Sequence, residues 1–576
     1  MTSKNRPKRI AILGGGPSAL FIYKRLIESK TAWEVDIFER RHALGSGMPY
    51  SEEGAGTEHI TNVSDNEIPE IVTSIEDWIR SLPQSALSRF DINPETFNKF
   101  HVLPRLLFGQ YLAAQFELLR KKARKAGLTT HVHFNSNVLD VIDYPEQNVV
   151  QIDVEEKGKL LFDAVVICTG HNWPVKNEGR VAGYYDSPYP PAKLKMKCNH
   201  PVAIKGSSLT AIDAIRTLAR HNGHFEKTPE GKLAFIPAED CPKFKMVMHS
   251  RNGLLPAIRF HLAKPQLSAD SLLTKEEIEK NRKQNGGFLS LDFLFDKNFK
   301  NGFKRKDPKF YKRIKDLNME GFVQLMMDMR EGREPFHLFR EEYREAEKSI
   351  DKRESIYWKE MLAELSFTIS YPAKYFSAED MMRLKEVLMP LISVVIAFVP
   401  QASCEELFAL NDAGKLDLVS VGSDSEVVTK QTGGIIYKYR NEQGRKRAEH
   451  FETYIDCVGQ PHLSYEDIPF KSLLIKKTVS QAFLRFKSVE AAEKEMEKGD
   501  GSVIQNANGD YLMKVSGITI NDHFQVVNEY GIENERVYIM AVPYIGGYNP
   551  DYSGLDFCDE ASSCILEKLT LIHQHA

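Results

Sequence analysis

Two glycine-rich turns at strand–helix junctions, two later sets of alternating apolar strands ending in glycine, and one helix-forming stretch confined to the second copy predict the fold class. It is an α/β chain with two Rossmann-like dinucleotide-binding domains, each with an antiparallel meander, and a helical insertion in the second. The turns are "RIAILGGGPSALFIY" and "VAIKGSSLTAIDAI"; the closing strands end at Gly170 and Gly459. Gly206 to Gly459 is longer than Gly14 to Gly170 by about a hundred residues. A helical stretch of that size, residues 265–385, lies inside the longer interval, so the excess reads as an insertion into a repeat. The expected division is 1–190 and 461–576 for the first domain, 191–264 and 386–460 for the second, and 265–385 for the insertion.

The first copy begins with Arg9 to Leu13, a short apolar run read as a central parallel strand. Gly14, Gly16 and Ala19 fit the spacing G-x-G-x-x-A. The first glycine permits the tight turn, the second lets backbone approach a pyrophosphate, and the small third residue lets helix pack on strand. Pro17 falls at the first helical position, where its missing N–H costs nothing, and Ser18 follows it. The next strand, "WEVDIFER", ends in Glu39 and Arg40. A carboxylate there can accept hydrogen bonds from ribose hydroxyls.

The second copy has Gly206, Ser208 and Ala211 at the key positions, with Ser207, Leu209 and Thr210 between and after them. Serine at the centre adds a Cβ where backbone approaches phosphate, but its hydroxyl can donate to a phosphate oxygen. The following strand, "FKMVMHSRNG", ends in Arg251 rather than an acid, which suits the 2′-phosphate of NADPH over the free hydroxyl of NADH. The alternative is a degenerate repeat that packs without cofactor.

Bulk composition narrows the class. The 576 residues are 42% hydrophobic and 27% charged with a net charge of −3, an ordinary globular balance with no pull toward nucleic acid or an acidic membrane. The 7 cysteines are odd in number and form no C-x-x-C pair, which argues against a disulfide framework or zinc site and fits a reducing compartment. No metal site is expected. The basic start "MTSKNRPKRI" leads into an apolar run broken at Gly14, too short for a signal-peptide core. No run of about 18 apolar residues suggests a membrane span, so the expected location is cytoplasmic.

Together "AILGGGPSA", "FER", "ICTGH", "GSSLTAIDA" and "GLDF" resemble the two-dinucleotide-binding-domain flavoproteins. "GSGMPYS" (45–51), "HITNVSDNE" (59–67) and "LPRLLFGQYL" (103–112) resemble a bacterial FAD/NAD(P)-binding group that includes flavin-dependent N-hydroxylating monooxygenases, among them aspartate N-hydroxylases. The resemblance spans most of the chain and thins across 265–385. It implies FAD on the first domain and the C-terminal segment, with Gly14, Gly16, Pro17, Ser18 and Ala19 at the pyrophosphate and Glu39 and Arg40 at the adenosine. Thr169 and Gly170 would lie near the same cofactor. Tyr50, Asn62 and Val63 would run toward the isoalloxazine, and Arg105 would neutralise phosphate or bind an anionic substrate. Gly554 and Leu555, after a glycine-rich loop, would open a helix whose N–H groups face the flavin N1–C2=O edge. Ser553 with Asp556 makes the capping pattern of that helix. Ser207, Ser208, Leu209, Thr210 and Arg251 would hold NADPH.

The leading reading is an FAD-dependent, NADPH-using monooxygenase acting on a small molecule, with molecular oxygen forming a flavin C4a-hydroperoxide and amino-group N-hydroxylation as one outcome. The cofactor carries the hard chemistry, which accounts for the lack of an obvious acid–base constellation. Asn62, His171, Tyr548 and Asp551 are the candidates nearest the reaction. A reductase passing electrons to another acceptor is a second reading, and a flavin-fold binding or sensor protein without turnover a third. The run "KNFKNGFKRKDPKFYKRIK" is the only support for nucleic acid, and a solvated helical face explains it as well. Apolar stripes in the insertion suit a core or a homo-oligomer contact.

Overall fold

The computed structural model describes residues 7–170, 173–262, 272–460, 462–550 and 554–575. The first unit begins with β1 (Lys8–Leu13), α1 (Pro17–Glu28), β2 (Trp33–Phe38), α2 (Arg105–Lys125), β3 (Thr129–His133) and β4 (Ala164–Ile167). The second comprises β5 (Tyr184–Tyr185), β6 (Pro201–Lys205), α3 (Leu209–His221), β7 (Lys245–Ser250), α4 (Gln401–Asp412), β8 (Leu416–Ser420) and β9 (Thr453–Asp456). The chain then returns to the first with β10 (Gln525–Val527), β11 (Glu533–Ile539) and α5 (Leu555–His575).

Two parallel sheets result. The first has the order β10-β11-β4-β1-β2-β3, with only β10 antiparallel to its neighbour. The second has the order β5-β9-β6-β7-β8 and is parallel throughout. Central strands are apolar because both faces are covered: Ile10 to Leu13 and Val165 to Ile167 are at most 1% exposed. In register, Ile12 stands between Ile37 and Val166, and Ile167 beside Ile539. The two-domain α/β architecture with a helical insertion is therefore as the sequence predicts.

One local difference recurs in both copies. The alternating run from His131 onward reads as the first strand of a meander, yet Thr129–His133 joins the parallel sheet beside β2. The meander is instead Val138–Tyr144, Val149–Val154 and Gly158–Phe162. In the second copy Leu416–Ser420 likewise joins β7, and the meander is Glu426–Thr429, Ile435–Arg440 and Lys446–Phe451. A strand that follows a long helix returns parallel to its sheet, whatever its side-chain alternation.

The insertion leaves the second unit after Ile258, which bridges Val399 on the return. The Thr274–Glu277 capping box forms as the sequence suggests, and Ser377 caps Ala378–Arg383 by accepting from the Asp380 N–H. The helical array runs past residue 385 through Met389–Val395, because Leu391, Ile392 and Val395 belong to the same core as Phe299, Phe322 and Leu365. That core is shared with Ala482, Leu484 and Val515 of a small antiparallel sheet in the returning chain. In the basic run, Phe299 and Phe303 point into the core while Lys304, Arg305 and Lys306 are exposed, the pattern of a solvated face. Among the described residues no helix is long and apolar enough to cross a membrane.

Candidate cofactor site

At the end of β1 the chain turns through Gly14 at φ +100°, and the Gly14 N–H donates to the Phe38 carbonyl at 2.8 Å. The Cys168 N–H donates to the Leu13 carbonyl at 2.8 Å, and a Cβ on Gly14 would lie 2.8 Å from the Cys168 carbonyl oxygen. Gly16 is the N-cap of α1 and offers no side-chain cap, so the first-turn N–H groups face outward without a protein side chain answering them. A Cβ on Gly16 would approach the Gly47 Cα at 3.3 Å, so the 45–51 loop lies against the turn. Ala19 is fully buried against the sheet. Ser18 Oγ lies 3.4 Å from Cys558 Sγ, tying α1 to α5.

Glu39 is buried at the end of β2. One carboxylate oxygen accepts from the Gly15 N–H at 2.7 Å and the other from the Arg41 N–H at 2.9 Å. Arg40 is exposed, 3.8 Å from Glu53. Arg41, which the sequence reading passed over, is the side chain that braces Glu39 and pairs with Glu53. Thr169 Oγ1 is buried beside this turn with no hydrogen-bond partner among the described residues. An uncapped helix N-terminus, an anchored carboxylate and an orphaned hydroxyl fit a dinucleotide such as FAD.

The second turn repeats the backbone geometry of the first. Gly206 has φ +106°, its N–H donates to the His249 carbonyl at 2.7 Å, and the Cys457 N–H donates to the Lys205 carbonyl at 2.9 Å. A Cβ on Gly206 would lie 2.9 Å from the Cys457 carbonyl oxygen. Ser208 takes the place of Gly16, with φ −88° and ψ −166° against −82° and −162°, and its side chain makes no cap hydrogen bond. Ser208 is exposed at the mouth of the turn, and Leu209 and Thr210 begin α3. Ser207 instead donates to the Leu254 carbonyl at 2.7 Å and holds the loop after β7. Arg251 is exposed on that loop.

Beneath the turn, His249 is 1% exposed and stacks on Tyr437 at 4.1 Å. Burial pushes its pKa down to about 4. The unfolded chain protonates His249 near its ordinary value of 6.5 while the fold resists, so stability present above pH 6.5 is lost as pH falls toward 4. His249→Phe, which retains a stacking ring, should therefore unfold at the same or higher urea concentration at pH 7. It should also lose less stability than the parent between pH 6.5 and 4.5, by on the order of 2 kcal/mol. Equal acid sensitivity in urea titrations of both proteins would show that His249 is not the group responsible.

Arg105 lies elsewhere than the resemblance implies. Its guanidinium donates to Asp213 Oδ2 at 2.5 Å and to the Ile60 carbonyl at 3.2 Å, so its charge is matched by a carboxylate on α3 rather than directed at a phosphate. Tyr189 donates to the same Asp213 oxygen at 2.6 Å. His59 Nδ1 accepts from the Gly56 N–H at 3.0 Å, while Nε2 is 3.2 Å from the Asp213 carbonyl. These partners require a neutral ring with the proton on Nε2, consistent with burial holding its pKa down. A second buried cluster joins the two units: Arg259 Nη1 donates to the Asn62 carbonyl at 2.5 Å, and Nη2 to Ser64 Oγ at 2.7 Å and to Glu67. Neither cluster carries a local sequence signature.

The remaining candidates are positioned as follows. Tyr50 packs edge-on against Phe108 at 4.9 Å and over Gly109, where a Cβ would meet its carbonyl oxygen at 2.0 Å. The Asn62 side chain donates to the Ala397 carbonyl at 3.4 Å, and the Val63 carbonyl accepts from Thr61 at 2.9 Å. Gly170 is exposed after β4. Gly554, at φ +118°, and buried Leu555 begin α5. Asp556 follows, and burial, with Glu67 and Asp559 nearby, pushes its carboxyl up to about 7. Tyr548 is not a free catalytic phenol. Its hydroxyl donates to the Phe483 carbonyl at 3.0 Å, and it lines a cavity of about 370 Å³ with Lys374, Asn521, His523 and Lys568. His171, Asp551 and Ser553 lie outside the described residues.

Comparison with known proteins agrees with this architecture. The FAD-NAD(P)-binding family model matches residues 11–172, and the YdhS-like middle domain matches 274–396. The match over residues 11–172 identifies an FAD/NAD(P)-binding domain at the first turn, and FAD and NAD(P)H are the cofactors it implies. It is 28% identical over 475 residues to the uncharacterized protein YdhS of Escherichia coli strain K12, covering 81% of this chain and 86% of that protein. A dimethylaniline monooxygenase (N-oxide-forming) 2 of Macaca mulatta is 24% identical over 175 residues, 29% of this chain and 28% of that protein. An ornithine N-hydroxylase of Kutzneria sp. 744 superposes with a TM-score of 0.47 at 12% identity, covering 98% of this chain and 100% of the other.

Proposed function

We propose that the chain is an NADPH-dependent flavin monooxygenase that oxygenates a small molecule, with an amino nitrogen as the favoured target. The observation that carries this reading is the state of the cysteines. None of the 7 forms a C-x-x-C pair, and six are buried. Burial holds the thiols of Cys168, Cys404 and Cys457 well above the ordinary range and pushes Cys558 up to about 12. Cys168 and Cys558 are near enough to interact beneath the first turn, but a thiol held protonated is neither a nucleophile nor a relay. This closes a cysteine relay within the chain and favours direct transfer from the flavin to a small-molecule acceptor. N-oxide formation, the activity of the Macaca relative, supports oxygen as that acceptor.

Bound FAD would accept hydride from NADPH and supply the electrons that activate oxygen. The chain's own residues do the rest. The open N-terminus of α1 and the Glu39–Arg41 pair hold the dinucleotide, with Thr169 supplying a further hydrogen bond. The Gly206–Ser208 turn holds the second pyrophosphate, and Arg251 matches a 2′-phosphate. The backbone N–H groups of the first turn of α5 would stabilise negative charge on the bound flavin, and Asp556, with its carboxyl pushed up to about 7, would hold or release a proton there. The buried Arg105–Asp213 and Arg259–Glu67 pairs tie the two units to each other.

The test is stopped-flow absorbance of flavin-loaded protein mixed first with NADPH and then with oxygen. A monooxygenase gives fast bleaching by NADPH, then a transient distinct from both oxidised and reduced spectra. Flavin that NADPH does not reduce, or that reoxidises only with quinone or disulfide acceptors, would overturn the reading. Ser208→Asp places a carboxylate at the phosphate position, and like charges there cost several kcal/mol. The variant should keep FAD and lose at least about tenfold in apparent NADPH affinity. Unchanged reduction would make the turn a packed corner only.

A further inference from the structure

A cavity of about 370 Å³ opens where three distant parts of the chain meet. Lys374 and Tyr375 come from the inserted helices, Ile520 and Asp522 from the 519–527 hairpin, and Lys568 from α5. The hairpin is closed by the Val527 N–H, which donates to the Thr519 carbonyl at 3.1 Å. The volume falls in the range of small-molecule sites, about 300 to 1,000 Å³. Lys568 is 13 residues past Leu555, so its wall stands about 20 Å along α5 from the helix end that would face the flavin. Glu533, also at the cavity, opens β11, and it is the other end of β11, at Ile539, that reaches the sheet edge carrying the first turn. The cavity is thus separate from the cofactor site.

Its charges are unevenly matched. Asp522 is fully answered: Lys374 pairs with it at 2.6 Å, and the Tyr375 hydroxyl lies 2.7 and 2.8 Å from its two oxygens. The Lys374 ammonium also packs over the Tyr371 and Tyr375 rings at 5.1 and 5.5 Å, which fixes this wall between insertion and hairpin. Lys568 differs. Among the described residues it donates no hydrogen bond, and its ion-pair partner, Glu533, is 3.7 Å away and half exposed. His523 is likewise held off, 3.9 Å from Glu567. Thr519 donates to the Gln481 carbonyl and the Asn521 amide to Gln525, so both spend their polar atoms elsewhere. Carbon surface comes from Ile520, which is buried, and from the ring of Tyr548, whose hydroxyl is committed to the Phe483 carbonyl at 3.0 Å.

We propose that this cavity is a second binding site, apart from the flavin, for a small organic monocarboxylate with a flat apolar body. The carboxylate meets Lys568, and the body lies on Ile520 and Tyr548. An ammonium with its donors open is the group that a carboxylate oxygen satisfies. A phosphate dianion fits worse, because Lys374 is committed to Asp522 and Glu533 repels a second negative charge. A neutral ligand of the same shape would leave Lys568 unanswered. The site needs no turnover and stands independently of the monooxygenase reading.

The probe is para-fluorobenzoate, followed by its fluorine NMR line width in the presence of flavin-loaded full-length protein saturated with NADP⁺, which keeps the probe off the second turn. Broadening should saturate with a Kd of about 1 mM or below. The neutral isostere para-fluorobenzamide should bind at least about tenfold more weakly, and so should para-fluorobenzoate to Lys568→Gln, with Lys568→Arg retaining most of the affinity. Glu533→Gln removes the competing carboxylate from an exposed position and should tighten binding at least about twofold. Flavin content and the rate of reduction by NADPH in Lys568→Gln should match the parent. Absence of saturable broadening, equal binding of acid and amide, or parental affinity in Lys568→Gln would each overturn the proposal. Loss of probe binding together with loss of NADPH reduction in a folded Lys568→Gln would place the probe at the flavin and overturn it too. Should Lys568→Gln fail to fold, Glu533→Gln decides alone, and affinity no better than the parent's rejects the site.

Discussion

Gly14→Val is expected to purify without flavin. Gly14 holds φ +100°, a conformation strained for any L side chain and most of all for a β-branched one. The added Cβ would also stand 2.8 Å from the Cys168 carbonyl oxygen. That carbonyl cannot retreat, because the Cys168 N–H is bonded to Leu13 and β4 is clamped between β1 and β11. Backbone must give way at the point where the pyrophosphate would rest, and a penalty of about 3 kcal/mol weakens binding by more than a hundredfold. The measurement is the flavin-to-protein absorbance ratio, then a fluorescence titration of the apoprotein with FAD, with far-ultraviolet circular dichroism to confirm the fold. Stoichiometric flavin in the variant would remove the turn from the cofactor site.

The second large effect is Asp213→Ala. Burial alone would raise the Asp213 carboxyl, but Arg105 leads the interactions that hold it below its ordinary range. Both side chains are largely shielded from water, so the substitution leaves a buried guanidinium without its counter-charge. Such a loss costs about 3 to 5 kcal/mol, more than the pair itself contributes relative to apolar replacements. Urea unfolding followed by tryptophan fluorescence should show a clearly lower midpoint. The double variant Arg105→Met/Asp213→Leu should recover most of it. A single variant as stable as the parent, or a double variant no better than the single, would contradict the role assigned to this pair.

The parts of the site legible in the sequence are those written locally. Gly14, Gly16, Glu39, Gly206 and Ser208 are each set by a few adjacent residues: an apolar run, a glycine with no Cβ to clash, then a helical stripe. The two copies are recognisable from the order and spacing of these stretches, and their backbone angles agree, φ −82° and ψ −162° at Gly16 against −88° and −166° at Ser208. Side-chain partners were not legible. Arg105 and Asp213 are 108 residues apart and Arg259 and Glu67 are 192 apart, so no window holds both members of either pair. For Arg105 the resemblance alone implies a phosphate or an anionic substrate as the partner. Only the docking of α3 gives it Asp213. Tyr548 is alike: its glycine-rich loop is legible, but its hydroxyl donates to the Phe483 carbonyl 65 residues away in the returning chain. The strands at Thr129–His133 and Leu416–Ser420 alternate like meander strands, and period-two alternation does not name the neighbour.

The split order of the first sheet has a consequence for how the chain is made. β4 borders β1 on one side and β11 on the other, and Ile167 meets Ile539 only after the whole second unit and its inserted helices have been synthesised. At a synthesis rate of about 5 to 20 residues per second, that edge stays open for roughly 20 to 75 seconds. During this interval the ribosome carries a buried-type, uncharged strand, Ala164 to Ile167, with one row of backbone groups unpaired, a ready template for mispairing. The inserted helices, dominated by local contacts, can form in that time. The newborn chain thus exposes a strand edge that the finished fold covers, and slowing growth or supplying a strand-shielding chaperone is expected to raise its yield.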